Sequence, residues 1–207
     1  MAFAAPTTTN TKYNNHMIAQ ADKKEYYTLD EYLELEVNSQ DRHEYIDGEI
    51  LLMTGGTPNH NRIALNFSGA LNSALKQPYE TFVADQKLWI PKKRINTYPD
   101  VMVVEGELQL LEGRRDTITN PLMIAEVLSE STRSYDKDEK FVAYRTIPSF
   151  KEYILINQYT IHVEQYHKTD GKSWMFTEYD DLNETLSLKS IPFQITLADI
   201  YNRVRFE

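Results

Sequence analysis

The 207 residues include no cysteine, which removes disulfides, thiolate metal sites and cysteine nucleophiles together. Long apolar runs are missing too: nothing approaches the roughly 18 consecutive residues that suggest a membrane span. The first twenty residues carry no basic leader followed by an apolar core. No secretory signal is therefore read there, and a cytoplasmic location is expected. There is no phosphate-cradling glycine loop, no nucleophile elbow and no His-Glu-x-x-His pattern, so the chemistries those motifs serve find no support. The histidines give no metal-ligand spacing; His162 and His167 are five apart in a strand-like region and so point to opposite faces. Positive charge is also scarce, with 22 Lys and Arg against 31 Asp and Glu, a net charge of −9. Proteins that hold DNA through its phosphates usually show a basic surface. The acidic balance argues weakly against a non-specific nucleic-acid binder, and the basic runs at 91–94, 113–115 and 203–205 read as solvated surface.

What is present is ordinary globular material: 41% hydrophobic and 26% charged, enough for a sizeable core. A Thr/Asn-biased tail, 1–24, is expected to be disordered, followed by one α/β domain over 25–207. Thr28 and Glu31 form a capping-box pattern, and Leu29, Tyr32, Leu33 and Val37 share a helical face. Asp47-Gly48 predicts a type I′ hairpin between strands at 44–46 and 49–53. Thr57 and Pro58 open a second helix, whose apolar stripe is Ile63, Phe67, Ala70, Leu71 and Ala74, running to about Lys76. Three strand-like segments follow, "TFVADQKLWI", "TYPDVMVVEG" and "PLMIAEVLS", the last two separated by a polar loop with a short turn or an extra hairpin. A helix is predicted over 135–147, stopping at Pro148. "KEYILINQ" and "TIHVEQYH" read as strands joined by a tight turn at Gln158-Tyr159; "SWMFTEY" and "TLSLKS" read as another pair, before a short helix near "TLADIYNRV".

Two carboxylates stand out. Asp100 sits in front of the β-branched run "VMVV", and Glu126 lies inside the apolar run "PLMIAEVLS". A charge in a buried strand is costly unless it is paired or bound to a metal. Side chains alternate along strands, so the two acids converge if their strands are neighbours. Two carboxylates at one sheet end repel each other unless a cation lies between them, and a hard divalent ion accepts one or two carboxylates plus waters and phosphate oxygens. Asp100 and Glu126 are therefore candidate metal ligands. A Pro-Asp pair is also a common strand entry, so Glu126 is the stronger signal. Two carboxylates could also serve a glycosidase, but no aromatic subsite cluster accompanies them to favour that over phosphodiester cleavage.

"HEYIDGEI", "TPNHNRIALN", "YPDVMVV", "EVLSESTRSYDKDEKFVAYR" and "KEYILIN" resemble the Uma-type (Uma-two) restriction endonuclease family of the PD-(D/E)XK nuclease superfamily, over residues 26 to 205. The resemblance implies a restriction-endonuclease-like core, a mixed central β-sheet flanked by helices, here with an N-terminal helix and β-hairpin. It also implies metal-dependent cleavage of DNA. Asp100 takes the aspartate of the signature and Glu126 the acid of the next strand. The superfamily places a lysine two residues later, where this chain has Leu128.

Asp136, Lys140 and Tyr144 are spaced by four and share a helical face. Lys140 is the candidate to replace the missing lysine, with Lys87 as runner-up; a solvated Asp136–Lys140 pair is the plainer reading. Glu49 is a candidate third acid, or else an edge-strand charge. His60, one turn before Ile63, reads as a core histidine rather than a ligand.

The expected function is hydrolysis of DNA phosphodiester bonds, with Mg²⁺ or Mn²⁺ at Asp100 and Glu126, Lys140 assisting the water and Glu49 as a further acid. Duplex DNA is the expected partner, and cutting both strands calls for a homodimer, pairing through the C-terminal strands. The alternative is a catalytically inactive nuclease-fold module that binds nucleic acid or a protein partner, Leu128 then marking a lost lysine.

Overall fold

A computed structural model describes residues 26–53, 55–130 and 135–206; the tail expected over 1–24 and the 131–134 part of the "EVLSESTRSYDKDEK" motif lie outside them. The first helix, α1 (Leu29–Asn38), opens on the expected capping box, with Thr28 and Glu31 satisfying each other's backbone N–H groups. Its buried face is Tyr32, Leu33 and Glu36, whereas Val37 is 64% exposed. The face is thus rotated from the expected one, because Glu36 is drawn inward by the backbone and ring of His43 and by the Tyr98 hydroxyl.

Strands β1 (His43–Ile46) and β2 (Glu49–Leu52) pair antiparallel around Asp47-Gly48, whose φ angles of 43° and 105° are both positive as a type I′ turn requires. A Cβ on Gly48 would lie 2.3 Å from the Tyr26 ring. Gly48→Ala is therefore expected to cost about 1–2 kcal/mol in urea unfolding, and a neutral result would show that the turn relaxes to another type.

Helix α2 (Pro58–Ala74) starts at its Thr57 cap and buries Ile63, Phe67 and Leu71. Next the chain departs from the sequence expectation. "TFVADQKLWI" is not one strand but two, β3 (Tyr79–Val83) and β4 (Lys87–Ile90), broken where Ala84 takes a φ of 39°. "TYPDVMVVEG" splits likewise into β5 (Ile95–Thr97) and β6 (Val101–Glu105). In each case the two halves belong to different sheets. The loop beyond β6 carries β7 (Thr117–Ile118) with a bridge from Leu110 to Ile118, the short hairpin anticipated there. β8 (Met123–Leu128) leads toward a π-helical turn, Asp136–Lys140, that continues into the α-helical turn Phe141–Tyr144, together α3.

β9 (Glu152–Asn157) and β10 (Val163–Asp170) are joined by a five-residue connection rather than a tight turn at Gln158-Tyr159. β11 (Ser173–Tyr179) pairs with β10, and β12 (Thr185–Ser187) pairs with β13 (Gln194–Thr196); the expected pairing of "SWMFTEY" with "TLSLKS" does not form. The two-residue turn at Gly171-Lys172 brings β11 straight back onto β10. The helix α4 (Leu197–Ile200) closes the order.

The larger sheet runs β11-β10-β9-β8-β6-β3 and is mixed, with β8 and β9 parallel and the other pairs antiparallel; the smaller runs β2-β1-β5-β4-β7. Alternation along the large sheet sorts the core. Val101, Val103, Ala125, Val127, Ile154 and Ile156 face α2 and the C-terminal segments. Met102, Val104, Ile124, Leu128, Tyr153 and Leu155 face α3 and the small sheet. A mixed sheet between helices is the architecture the sequence resemblance implied. Among the described residues no helix is long and apolar enough to cross a membrane.

Candidate active site

Asp100 stands where the chain steps from the small sheet into the large one. Pro99 has no N–H to give a ladder, so pairing stops between β5 and β6. The corner is held from both sides: the Tyr98 hydroxyl donates to Glu36 at 2.6 Å, and the Ala84 N–H donates to the Asp100 carbonyl at 3.1 Å. β6 runs antiparallel to β8 with Val101 opposite Ala125, which puts Asp100 level with Glu126. The two acids do converge. The Asp100 N–H donates to Glu126 Oε2 at 3.2 Å, and the Val127 N–H donates to Asp100 Oδ2 at 2.8 Å.

Glu126 points from the large sheet toward α3, and its side chain is 3% exposed. Lys140 Nζ lies 3.2 Å from its Oε1 and the Tyr144 hydroxyl donates to the same atom at 2.7 Å. Lys140 is shared: Asp136 Oδ1 is 2.9 Å away and Glu44 Oε1 is 3.7 Å away. Glu44 also accepts from the Thr97 hydroxyl, tying β1 to the strand before the corner. On the other side, His60 Nε2 lies 3.1 Å from Asp100 Oδ2. The helix that carries Lys140 is wound as a π-turn at this point, a distortion common at functional sites.

Four carboxylates, Glu44, Asp100, Glu126 and Asp136, thus surround one lysine and one histidine. Burial pushes the Glu126 carboxyl above the ordinary range, Lys140 opposes this, and the Asp100 and Asp136 charges add to it; the net direction is up. Burial pulls the Lys140 ammonium down, but Glu126, Glu44 and Asp136 outweigh it and hold the proton well above the usual lysine range. Burial likewise lowers His60, and the hydrogen bond and charge of Asp100 more than restore it.

A sequence profile of the family Uma2, described as "Putative restriction endonuclease", matches residues 29–199. The chain belongs to the Uma2 family. The uncharacterized Synechocystis protein sll1609 is 42% identical over 152 residues, 73% of this chain and 86% of that protein. A second uncharacterized Synechocystis protein, slr1290, is 33% identical over 195 residues, 92% of this chain and all of that one. Among solved structures, a protein titled a "putative nuclease belonging to DUF820" from Anabaena variabilis superposes with a TM-score of 0.69 at 18% identity, over 84% of this chain and 97% of the other. That likeness shows a shared fold.

Within this Uma2 chain the structure sorts the candidate residues. It brings Asp100, Glu126 and Lys140 together. Leu128, at the position where the superfamily places lysine, packs in the apolar core on the α3 side. Lys87 goes elsewhere, to Asp116 at 3.2 Å. Glu49 is exposed at the turn end of β2 and has no hydrogen bond or ion pair to the cluster; the acid that β1–β2 contributes is Glu44. The Asp136–Lys140 pair is formed, but buried rather than on a solvated face. His60 is a correction: its side chain is 21% exposed and it holds Asp100 instead of filling the core.

Among the described residues no three His, Asp or Glu side chains form a ready cage for a metal. Two adjacent carboxylates are the set that Mg²⁺ accepts while keeping several waters. The excess of acids over cations around Glu126, and its raised pKa, are the electrostatic condition that a further cation relieves. Asp100 and Glu126 therefore fit a hard, hydrated divalent ion.

Proposed function

We propose that this Uma2-family chain is a DNA endonuclease dependent on Mg²⁺ or Mn²⁺, with Asp100 and Glu126 as metal ligands and Lys140 as the lysine of the site. The observation that carries the reading is the buried Lys140 ammonium 3.2 Å from Glu126, which is itself bonded to the Asp100 backbone. Acid, acid and lysine thus meet in space although Leu128 occupies the usual lysine position. A bound divalent ion would polarise the phosphodiester and lower the pKa of a coordinated water.

Lys140 stays protonated at neutral pH, which suits it to stabilise negative charge developing on the phosphate rather than to act as a base. Tyr144 and Asp136 orient Glu126 and Lys140, and His60 orients Asp100. Duplex cleavage needs two such centres, so a homodimer belongs to the same reading.

The test is cleavage of supercoiled plasmid in Mg²⁺ and in Mn²⁺. Nicking or linearisation is expected from the wild type only with metal, and Glu126→Ala and Asp100→Ala are expected to lose about a hundredfold or more. Cleavage that persists in chelator or in Glu126→Ala would overturn the reading. No cleavage and no metal-dependent stabilisation would favour the binding module instead.

A further inference from the structure

The edge strands of the two sheets differ in how they are protected. β2 has four residues, β3 five and β7 two, whereas β11 has seven. Long edge strands are normally blunted by lysine, proline or a bulge. Between Ser173 and Tyr179 there is neither lysine nor proline, and the one register shift of the β10–β11 pair falls at Lys168/Asp170, outside the stretch that matters. Mid-strand, Met175 is 53% and Phe176 47% exposed. Phe176 continues an aromatic row, at 4.9 Å from Tyr166, which in turn lies 4.8 Å from Phe141.

The charges at the two ends of β11 are opposite. Lys172 precedes the strand, while Glu178 lies near its end and Asp180 just beyond it. A strand with a cation at one end and acids at the other is complementary to its own antiparallel copy. β2 has no such pattern: its sequence, Glu-Ile-Leu-Leu, carries an acid and no cation.

We propose that two copies of this chain pair antiparallel along β11 about a two-fold axis at Met175, joining their large sheets edge to edge. That register sets Lys172 opposite Glu178 and Trp174 opposite Phe176, each pair occurring twice by symmetry. Glu178 uses one oxygen for His162, at 3.2 Å, and its side chain is 57% exposed. The inference names the surface and the partner for the homodimer of the nuclease reading, but its readout is mass, so it stands or falls separately from cleavage.

Sedimentation velocity of the full chain across about 1–100 µM is the test, a range that brackets ordinary weak to moderate dimers. The wild type is expected at twice the 24.2 kDa chain mass. Met175→Lys is expected to be monomeric. Lys172→Glu should weaken the dimer roughly tenfold or more, since two attractive cross-strand pairs become repulsive. The exchange Lys172→Glu with Glu178→Lys should restore it. Circular dichroism checks that each variant is folded, and Lys172→Glu, a surface change, keeps the test decisive if Met175→Lys is not. A monomeric wild type, a dimer indifferent to both single variants, or failure of the exchange to restore pairing would overturn the proposal.

Discussion

Replacing Lys140 by methionine is expected to destabilise the protein by about 3–5 kcal/mol at neutral pH without metal. The figure is large because the lysine is buried and serves three acids at once, Glu126, Asp136 and Glu44. Removing one partner of a buried pair leaves charges that neither water nor a counter-charge reaches. Without the ammonium the main influence opposing burial at Glu126 is gone, and its carboxyl holds its proton more tightly still in the folded state than in the unfolded one. The folded state then regains stability as pH falls toward the ordinary carboxylate range, so the variant's deficit should shrink at about pH 5. Urea unfolding at both pH values measures it. A loss under about 1 kcal/mol at neutral pH would show that water reaches the cluster. Under the nuclease reading the same variant should also lose about a hundredfold or more in plasmid cleavage.

Part of this site was legible in the sequence. Asp100 and Glu126 were readable because each is a charge beside or inside an apolar run, and strand alternation allows them to meet once their strands are neighbours. The Asp136–Lys140–Tyr144 face was readable from its spacing of four. Its burial was not, since that depends on α3 lying over the large sheet, where Leu128 and Tyr153 form the apolar floor. Glu44 gave no signal: it is one of three acids, with Asp47 and Glu49, on a short hairpin, and only the corner that folds the small sheet against α3 decides that Glu44, and not Glu49, reaches Lys140.

His60 was misread for a related reason. Its place on the apolar stripe of α2 is real, but it lies in the first turn, where the helix end approaches Asp100 rather than the core. The broken strands have a different cause. A strand-like segment of ten residues shows two apolar stretches but not that they lie in different sheets, and the breaks fall at Ala84, with its positive φ, and at Tyr98-Pro99-Asp100.

The second large effect concerns metal and pH together. Burial first, and the Asp100 and Asp136 charges in support, raise the Glu126 carboxyl above its ordinary value of 4.5, against Lys140 and Tyr144. In the metal-free protein this contribution to stability is fully present below that ordinary value and is lost as pH rises through the raised one. Chelator-treated wild type is therefore expected to lose stability as pH rises from about 5 through neutrality, and Glu126→Gln, which cannot ionise, should lose less. Under the nuclease reading a divalent cation would take the ionised carboxylate and displace its proton. Mg²⁺ affinity should then rise about tenfold per pH unit until Glu126 is ionised without help, and level off above that. At a hundred times its dissociation constant the ion would add about 2.7 kcal/mol of stability. Thermal unfolding with and without Mg²⁺ at several pH values reads all three quantities. If the metal-dependent gain is the same in Asp100→Asn as in the wild type, the ion binds elsewhere; if it is absent in both, the acids around Lys140 serve the fold alone.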